Sequence, residues 1–213
     1  MPNPARISPP QRSLDFVTDT EKSAEEPISG LSLFADWLSP SEEAQLLETI
    51  DAQTWSNDLK RRVQHYGIRY DYKRRGLIRE DELEPLPDWL VALSERLMRE
   101  GKIDALMQQA IINEYEPGQG ISKHVDNPCF DSPIVSLSLG STCEMRFEHV
   151  ESSRAQAIVL QPRSLLIMAD EARWQWRHSI AARRSDRIDG YITPRKRRVS
   201  ITFRRLKANA QSR

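Results

Sequence analysis

Several features that would indicate a membrane or secreted protein are scarce or missing in this chain of 213 residues. No apolar run approaches the roughly 20 residues that a membrane-spanning helix needs. The start of the chain, MPNPARISPPQRSLDF, lacks the apolar core of a secretory signal. Only two cysteines are present, Cys129 and Cys143, so we expect reduced thiols and no disulfide framework. These absences predict a cytoplasmic protein with no membrane partner.

A net charge is also lacking, but the formal value of zero hides an uneven distribution of basic residues. Residues 60–75 hold seven basic residues and one acidic residue, and residues 173–207 hold twelve basic residues against two acidic ones. Clustered Lys and Arg create a local positive field, which favours contact with a phosphate backbone. A solvated surface explains the same clusters equally well, so charge alone leaves both interpretations open.

Composition divides the chain into three parts. Residues 1–27 are rich in Pro, Ser and charged residues, which predicts a flexible N-terminal tail. Residues 28–208 are expected to form one domain, and residues 209–213 a short C-terminal tail. We find no internal repeat and expect a monomer.

Two helices are predicted in the first half of the domain. Residues 30–38 predict a strand that leads into a helix, and Ser39-Pro40-Ser41-Glu42 supplies its N-cap with proline in the first turn. The segment 87–101 predicts a second helix, which begins at a proline and ends at a glycine. The inward faces are predicted to comprise Ala44, Leu47 and Ile50 in the first helix, and Trp89, Leu90, Leu93 and Leu97 in the second.

Beyond about residue 110 the apolar pattern changes to a period of two, in short runs separated by turn signals. The runs are IINEY, IVSLSLG, CEMRFEH, AIVL, SLLIMA, ARWQWRHSI and RVSITFRRL. Many short strands punctuated in this way predict an antiparallel sandwich or barrel. The predicted fold class is therefore mainly β with flanking helices (α+β), in which N-terminal helices pack on a β core.

The strand RVSITFR, residues 198–204, places two arginines and two hydroxyls on one face. If its apolar face packs on the helices, Arg198, Ser200, Thr202 and Arg204 point into the barrel. Buried arginines are costly unless they meet anions, so this face favours a carboxylate or phosphate ligand. With the two faces exchanged, the same arginines would lie in water. Asn113 and Tyr115 share a strand face and suit the same ligand, although both could serve only structural hydrogen bonds.

The segment SKHVDNPCF raises the question of a metal site, because His124 and Asp126 lie two residues apart. The chain has only four histidines, so a third ligand must come from far along the sequence. His178 follows an alternating strand, whereas His149 lies in an acidic turn and is expected to be exposed. Two imidazoles and one carboxylate form the facial triad of non-haem Fe(II) oxygenases.

At this point the chain resembles a known family. The segments NEYEPGQGISKHVD, IVSLSLGS, SLLIMADEARWQWRHSI and RVSITFR are similar to the AlkB family of Fe(II)- and 2-oxoglutarate-dependent dioxygenases, over about residues 30–207. The resemblance implies a double-stranded β-helix of the jelly-roll type, with Fe(II), 2-oxoglutarate as cosubstrate and O2. It also implies iron ligands at His124, Asp126 and His178. Asn113, Tyr115 and Arg198 would hold the distal carboxylate of 2-oxoglutarate, Arg204 would lie near its iron-chelating end, and Ser200 shares that strand face.

The resemblance implies oxidative demethylation or hydroxylation of alkylated bases in DNA or RNA, giving succinate, CO2 and, for N-methyl groups, formaldehyde. Pro128 stands where DNA-repair members often carry an acidic residue, and Asp170 stands where a glycine is usual, while the segment RRVQHYG resembles members that act on RNA. Two alternatives stay open: a protein or peptide hydroxylase or demethylase with the same iron centre, and a non-catalytic binding module. The residues predicted to bind nucleic acid are Arg61, Arg62, His65, Tyr66, Arg69, Tyr70 and Tyr72.

Overall fold

The computed structural model describes residues 26–57, 60–68, 70–71, 76–77 and 85–208. Within these ranges the chain is mostly antiparallel β-sheet, as the strand pattern predicted, and it has the jelly-roll arrangement that the family resemblance implied. The predicted tails, apart from residues 26–27, lie outside the described residues, and their character stays a prediction. None of the described helices has the length and apolar composition to cross a membrane.

The strands form two main sheets. The six-stranded sheet has the order β1-β10-β7-β14-β5-β2, with strands β1 Leu31–Phe34, β2 Val63–Gly67, β5 Gln109–Tyr115, β7 Ile134–Gly140, β10 Leu165–Met168 and β14 Arg198–Arg204. The four-stranded sheet has the order β6-β11-β8-β9, with strands β6 Ile121–His124, β8 Cys143–His149, β9 Ala155–Leu160 and β11 Trp176–Ile180. Two further strand pairs are β3 Tyr70–Asp71 with β4 Gly76–Leu77, and β12 Ser185–Ile188 with β13 Tyr191–Pro194.

Helix α1, Pro40–Asp51, begins with the predicted cap. The Ser39 hydroxyl accepts from the Glu42 backbone N–H, and the Glu42 carboxylate accepts from the Ser39 backbone N–H, so both unpaired donors are satisfied. The predicted inward position of Ala44 is wrong. The buried positions are Leu46 and Ile50, because these two large side chains remove more apolar surface from water than an alanine can.

Helix α2, Asp88–Arg99, agrees with the predicted segment. Gly101 follows its C-terminus with a φ of 65°, a left-handed conformation that favours glycine. Leu90 and Leu97 are fully buried, while Trp89 and Leu93 pack at the edge of the same core. This core lies between the helices and the six-stranded sheet.

A third, short helix corrects the predicted strand at ARWQWRHSI. Helix α3 spans Asp170–Trp174, and the strand β11 begins only at Trp176. The alternation of apolar and polar residues is compatible with a strand, but residues 170–174 form a helical turn that is stabilised by tertiary contacts. The helical turn places the Arg173 guanidinium where it hydrogen-bonds to three backbone carbonyls of the loop after β6.

The alternation predicted for residues 198–204 is present in β14. Val199, Ile201 and Phe203 lie in the core shared with the helices. Arg198, Ser200, Thr202 and Arg204 line a cavity on the other face of the sheet. Burying each large apolar side chain stabilises the fold by about 1.5–3 kcal/mol, which fixes the polar face toward the cavity.

Candidate active site

Strand register brings two distant histidines together. His124 ends β6 and pairs with His178 in β11, so their ring centroids lie 4.4 Å apart. Asp126 follows in the loop after β6, with its Oδ2 atom 3.7 Å from His178 Nε2. One potential ligand atom of each residue lies within 4.8 Å of those of the other two. Among the described residues, these three form the one such group of His, Cys, Asp or Glu side chains.

The protonation states of this cluster suit a metal cation. Burial lowers the pKa of His178 to about 4, despite the attraction of Asp126. Burial by itself would raise the pKa of Asp126, but the Arg204 guanidinium and the two histidines outweigh it and lower that pKa to about 2. At neutral pH the carboxyl group is therefore ionised and the His178 imidazole is neutral, as metal ligands must be.

Hydrogen bonds orient the three candidate ligands. His124 Nδ1 lies 2.8 Å from the Ser122 carbonyl oxygen, so Nδ1 donates and Nε2 keeps its lone pair for a metal. Arg204 Nη2 donates to Asp126 Oδ1. Arg173 donates to the backbone oxygens of Asp126, Asn127 and Phe130, at 3.2, 2.9 and 2.8 Å, and so holds the loop that carries the carboxylate.

A second polar group lies on the six-stranded sheet. Cross-strand register places Arg198 opposite Tyr115, and Ser200 opposite Asn113. The Arg198 guanidinium carbon lies 5.3 Å from the centre of the Tyr115 ring, and its Nη2 donates to Ser138 Oγ at 2.8 Å. Its Nε and Nη1 atoms are buried without a hydrogen-bond partner among the described residues. Unpaired buried donors cost about 1–3 kcal/mol or more, so this group fits a carboxylate ligand.

Both groups open into one cavity of about 690 Å³, large enough for a cosubstrate beside part of a second ligand. It is lined by the histidine–aspartate cluster, by Asn113, Tyr115, Arg198, Ser200 and Arg204, and by apolar residues that include Val63, Ile111, Ile121, Met145 and Met168. The histidine–aspartate cluster and the polar group around Arg198 therefore line the same cavity, as binding of a metal-chelated dicarboxylate requires.

The predicted nucleic-acid residues divide into three sets. Arg61 and His65 line the cavity, and Arg61 Nε donates to Asn113 Oδ1 at 2.8 Å. Tyr66 lies on the opposite face of β2, where its ring meets Trp89 edge-on and its hydroxyl donates to Gln64. The Arg62 guanidinium binds Glu114. Arg69, Tyr72 and the side chain of Tyr70 lie outside the described residues.

His149 lies apart from the cluster. It is half-buried at the end of β8, contrary to the predicted exposure, with Nε2 3.2 Å from Gln175 Oε1 and its ring edge-on to Trp176. The sequence analysis assigned no role to Arg173 or Ser138, each of which hydrogen-bonds to a part of the site. The available signal for Arg173 is its place in the segment SLLIMADEARWQWRHSI, which is part of the family resemblance, and nothing in the sequence indicates Ser138.

Comparison with known proteins identifies relatives of the whole domain. The model of the 2OG-Fe(II) oxygenase superfamily matches residues 30–204. An uncharacterized protein of Acanthamoeba polyphaga mimivirus is 35% identical, covering 84% of this chain and 86% of its own length. The alkylated DNA repair protein ALKBH8 homolog of Arabidopsis thaliana is 34% identical, and the tRNA (carboxymethyluridine(34)-5-O)-methyltransferase ALKBH8 of Macaca fascicularis is 36% identical. Each covers 84% of this chain, but the match spans only 59% and 30% of their own lengths.

Solved structures show the same fold. The structure of OsALKBH1 matches with a TM-score of 0.58 at 17% identity, covering 83% of this chain and 96% of that chain. The fold, the family match and the ligand cluster agree with one another. The chain belongs to the 2OG-Fe(II) oxygenase superfamily and, within it, to the AlkB family, and it is an oxidoreductase that uses Fe(II), 2-oxoglutarate and dioxygen.

Proposed function

We propose that this enzyme oxidatively demethylates or hydroxylates alkylated bases in DNA or RNA, giving succinate, CO2 and, for N-methyl groups, formaldehyde. One observation carries the proposal. The cavity that holds the histidine–aspartate cluster and the unpaired Arg198 donors is also lined by Arg61 and His65, which belong to the basic stretch 60–75. Relatives whose names refer to alkylated DNA repair and to tRNA support a nucleic-acid substrate.

His124, Asp126 and His178 would hold the iron, which leaves part of its coordination sphere for other ligands. Bound there, Fe(II) supplies the chemistry by which dioxygen oxidises 2-oxoglutarate to succinate and CO2 and inserts one oxygen atom into a C–H bond of the substrate. A hydroxylated N-methyl group then loses formaldehyde and leaves the unmodified base. The chain itself contributes ligands of the correct charge and keeps them in place through Arg204, Arg173 and Ser122.

The distal carboxylate of 2-oxoglutarate would be held by Arg198, which lines the cavity and has two buried donors without a partner among the described residues. Asn113, Tyr115 and Ser200 surround the same position. Two parallel hydrogen bonds from one guanidinium fix both the distance and the orientation of a carboxylate. Positioning of this kind lowers the barrier because the reacting groups are already aligned. Arg204 would act beside this subsite mainly by holding Asp126, to which it donates.

The substrate base would enter from the side of Arg61 and His65, out of its stack. Arg62 and Tyr66 have structural partners, which supports a role in shaping this side more than in contacting the base. Aromatic residues beside cations suit an unstacked base and its phosphates, and on that ground Arg69, Tyr70 and Tyr72 stay predicted contacts.

Incubation of the purified chain with Fe(II), 2-oxoglutarate and single-stranded DNA and RNA oligonucleotides that carry N-methylated bases tests the proposal. Mass spectrometry should detect succinate together with a base that has lost its methyl group or gained oxygen. Succinate that appears only when a protein or peptide is supplied would replace the nucleic-acid substrate by a polypeptide. An absence of succinate under all conditions, with normal metal binding, would point to a non-catalytic binding module.

A further inference from the structure

A second concave surface lies beside the active-site cavity and shares two of its residues. This lateral groove has a volume of about 490 Å³ and shares Arg61 and Ile121 with the cavity. One wall is Lys60 with Arg61, ahead of β2. The other walls are residues 118–123, which run into β6, and residues 179–182, which comprise the end of strand β11 and the two residues after it.

Backbone packing holds the walls of the lateral groove in place. Gln119 Nε2 donates to the Lys60 carbonyl at 2.8 Å, which joins the first wall to the second. Gly120 lies so close to the third wall that a Cβ atom there would be 2.2 Å from the Ile180 carbonyl oxygen. Only glycine permits this approach. The groove is therefore a consequence of ordered backbone and is not formed by long side chains alone.

The charge of the lateral groove is positive. Its ionisable lining residues are Lys60, Arg61 and Lys123, and none of the described residues that line it is acidic. Lys60 is exposed and has no ion pair with any described residue, whereas Lys123 contacts Glu148 at the surface. The stem of Arg184, which also lacks an ion pair with the described residues, lies near Gly118 and extends the positive field.

We propose that the lateral groove binds the phosphate backbone of the single strand whose target base occupies the active-site cavity. Lys60 and Lys123 contact phosphates, and Arg61 lies at the boundary, where the backbone passes the mouth of the cavity. This inference rests on the proposed nucleic-acid substrate. The occupant is a phosphodiester chain because the groove shares two lining residues with the cavity, has no acidic lining residue among those described, and presents cations on two of its walls.

The chosen experiment measures binding of short fluorescent single strands, one DNA and one RNA of matched sequence, as a function of salt. Each lysine that contacts a phosphate contributes about −0.7 to the slope of log K against log salt. The variant Lys60→Ser with Lys123→Ser should therefore flatten the slope by about 1.4. If the variant and the wild type have the same binding constant at about 1 M salt, the variant should bind about 25-fold more weakly at about 0.1 M salt. If the variant loses affinity for only one of the two strands, that nucleic acid is the occupant of the groove.

The matched control is Arg99→Ser with Arg154→Ser. Arg99 is exposed on α2 without an ion pair to a described residue, and Arg154 contacts Glu26 at the surface and lies over the Trp176 ring. This control should keep the wild-type slope, and all proteins should share one thermal unfolding midpoint. A wild-type slope in the Lys60/Lys123 variant would overturn the inference. So would an equal loss in the control, or stronger competition by an acidic peptide than by either strand.

Turnover separates this inference from the proposed function. If the wild-type enzyme oxidises no base in either methylated strand, the proposed function fails whatever the groove variant binds. If the wild-type enzyme oxidises a methylated strand and the Lys60/Lys123 variant keeps the same kcat/KM and salt slope, only the groove assignment fails. The expected result is a fall in kcat/KM that follows the loss of strand affinity.

Discussion

Arg62 and Glu114 form a two-pronged salt bridge, with Nε 2.5 Å from Oε2 and Nη2 2.7 Å from Oε1. The Glu114 side chain is 3% exposed and also accepts from Arg197 Nε at 2.6 Å. Arg61, its neighbour in sequence, instead faces the active-site cavity. Two adjacent arginines of the basic stretch thus have different surroundings, and their substitution should affect stability and nucleic-acid binding differently.

We expect Arg62→Ser to lower the free energy of unfolding by about 1–3 kcal/mol, because it removes two hydrogen bonds to a buried charge. The salt slope of oligonucleotide binding should stay unchanged. The Arg62 hydrogen bonds lower the pKa of Glu114 below its ordinary value of 4.5. The stabilisation is therefore present above that value and is lost as the pH falls through the lowered pKa. Denaturant unfolding at neutral and acid pH, with Arg99→Ser as the control, measures both effects. A flattened salt slope would restore Arg62 as a phosphate contact.

The second prediction compares histidines. His124→Ala, Asp126→Ala and His178→Ala should each abolish succinate formation and reduce Fe(II) content, because each variant lacks one of the three ligands. His149→Ala should keep both properties, since His149 contacts Gln175 and Trp176 outside the cluster. Metal analysis and mass spectrometry of succinate provide the readouts. Normal turnover in His178→Ala would exclude the assigned triad.

The third prediction concerns the cosubstrate subsite. Arg198→Lys keeps the positive charge but loses the fork that donates two parallel hydrogen bonds. A hydrogen bond to a charged group contributes about 1.5–3 kcal/mol, so the KM for 2-oxoglutarate should rise about tenfold or more. Oligonucleotide affinity, measured by fluorescence anisotropy, should change little. An unaltered KM would show that the carboxylate binds elsewhere in the cavity.

The fourth prediction follows from the lowered pKa of His178. Burial holds the pKa near 4 in the folded protein, against an ordinary value of 6.5, so the unfolded chain takes up a proton first as the pH falls. The metal-free protein should therefore lose about 3 kcal/mol of stability between pH 6.5 and pH 4. His178→Gln should flatten this dependence and His149→Gln should not. The same pH profile in wild type and His178→Gln would contradict the prediction.

The fifth prediction assigns Arg173 a positioning role for Asp126. Arg173→Gln removes donors to three carbonyls of the metal-ligand loop. Metal affinity should fall about 10–100-fold, as for other outer hydrogen-bond partners of metal ligands. Calorimetric titration with Co(II) in place of Fe(II) gives this affinity independently of turnover. If only the unfolding midpoint falls while Co(II) affinity is unchanged, Arg173 stabilises the loop without orienting the ligand.

The sequence by itself determined the features that depend on local pattern. The alternation in residues 198–204 separates an apolar face from a polar one, and Ser39 with Glu42 caps α1, because strand period and capping are properties of neighbouring residues. The spacing of His124 and Asp126 and the family resemblance predicted the iron and 2-oxoglutarate residues, which the structure brings into one cavity.

Only the tertiary structure decided which side chain each arginine contacts. Arg61 and Arg62 are the same residue type at adjacent positions, yet strand β5 presents Asn113 to one and Glu114 to the other. Likewise, packing against the rest of the fold decides that Leu46, and not Ala44, lies on the buried face of α1. The helical turn at Arg173 is accompanied by hydrogen bonds to three carbonyls in a loop more than 40 residues earlier. Such choices depend on contacts between distant segments, and these contacts exist only once the two sheets have paired.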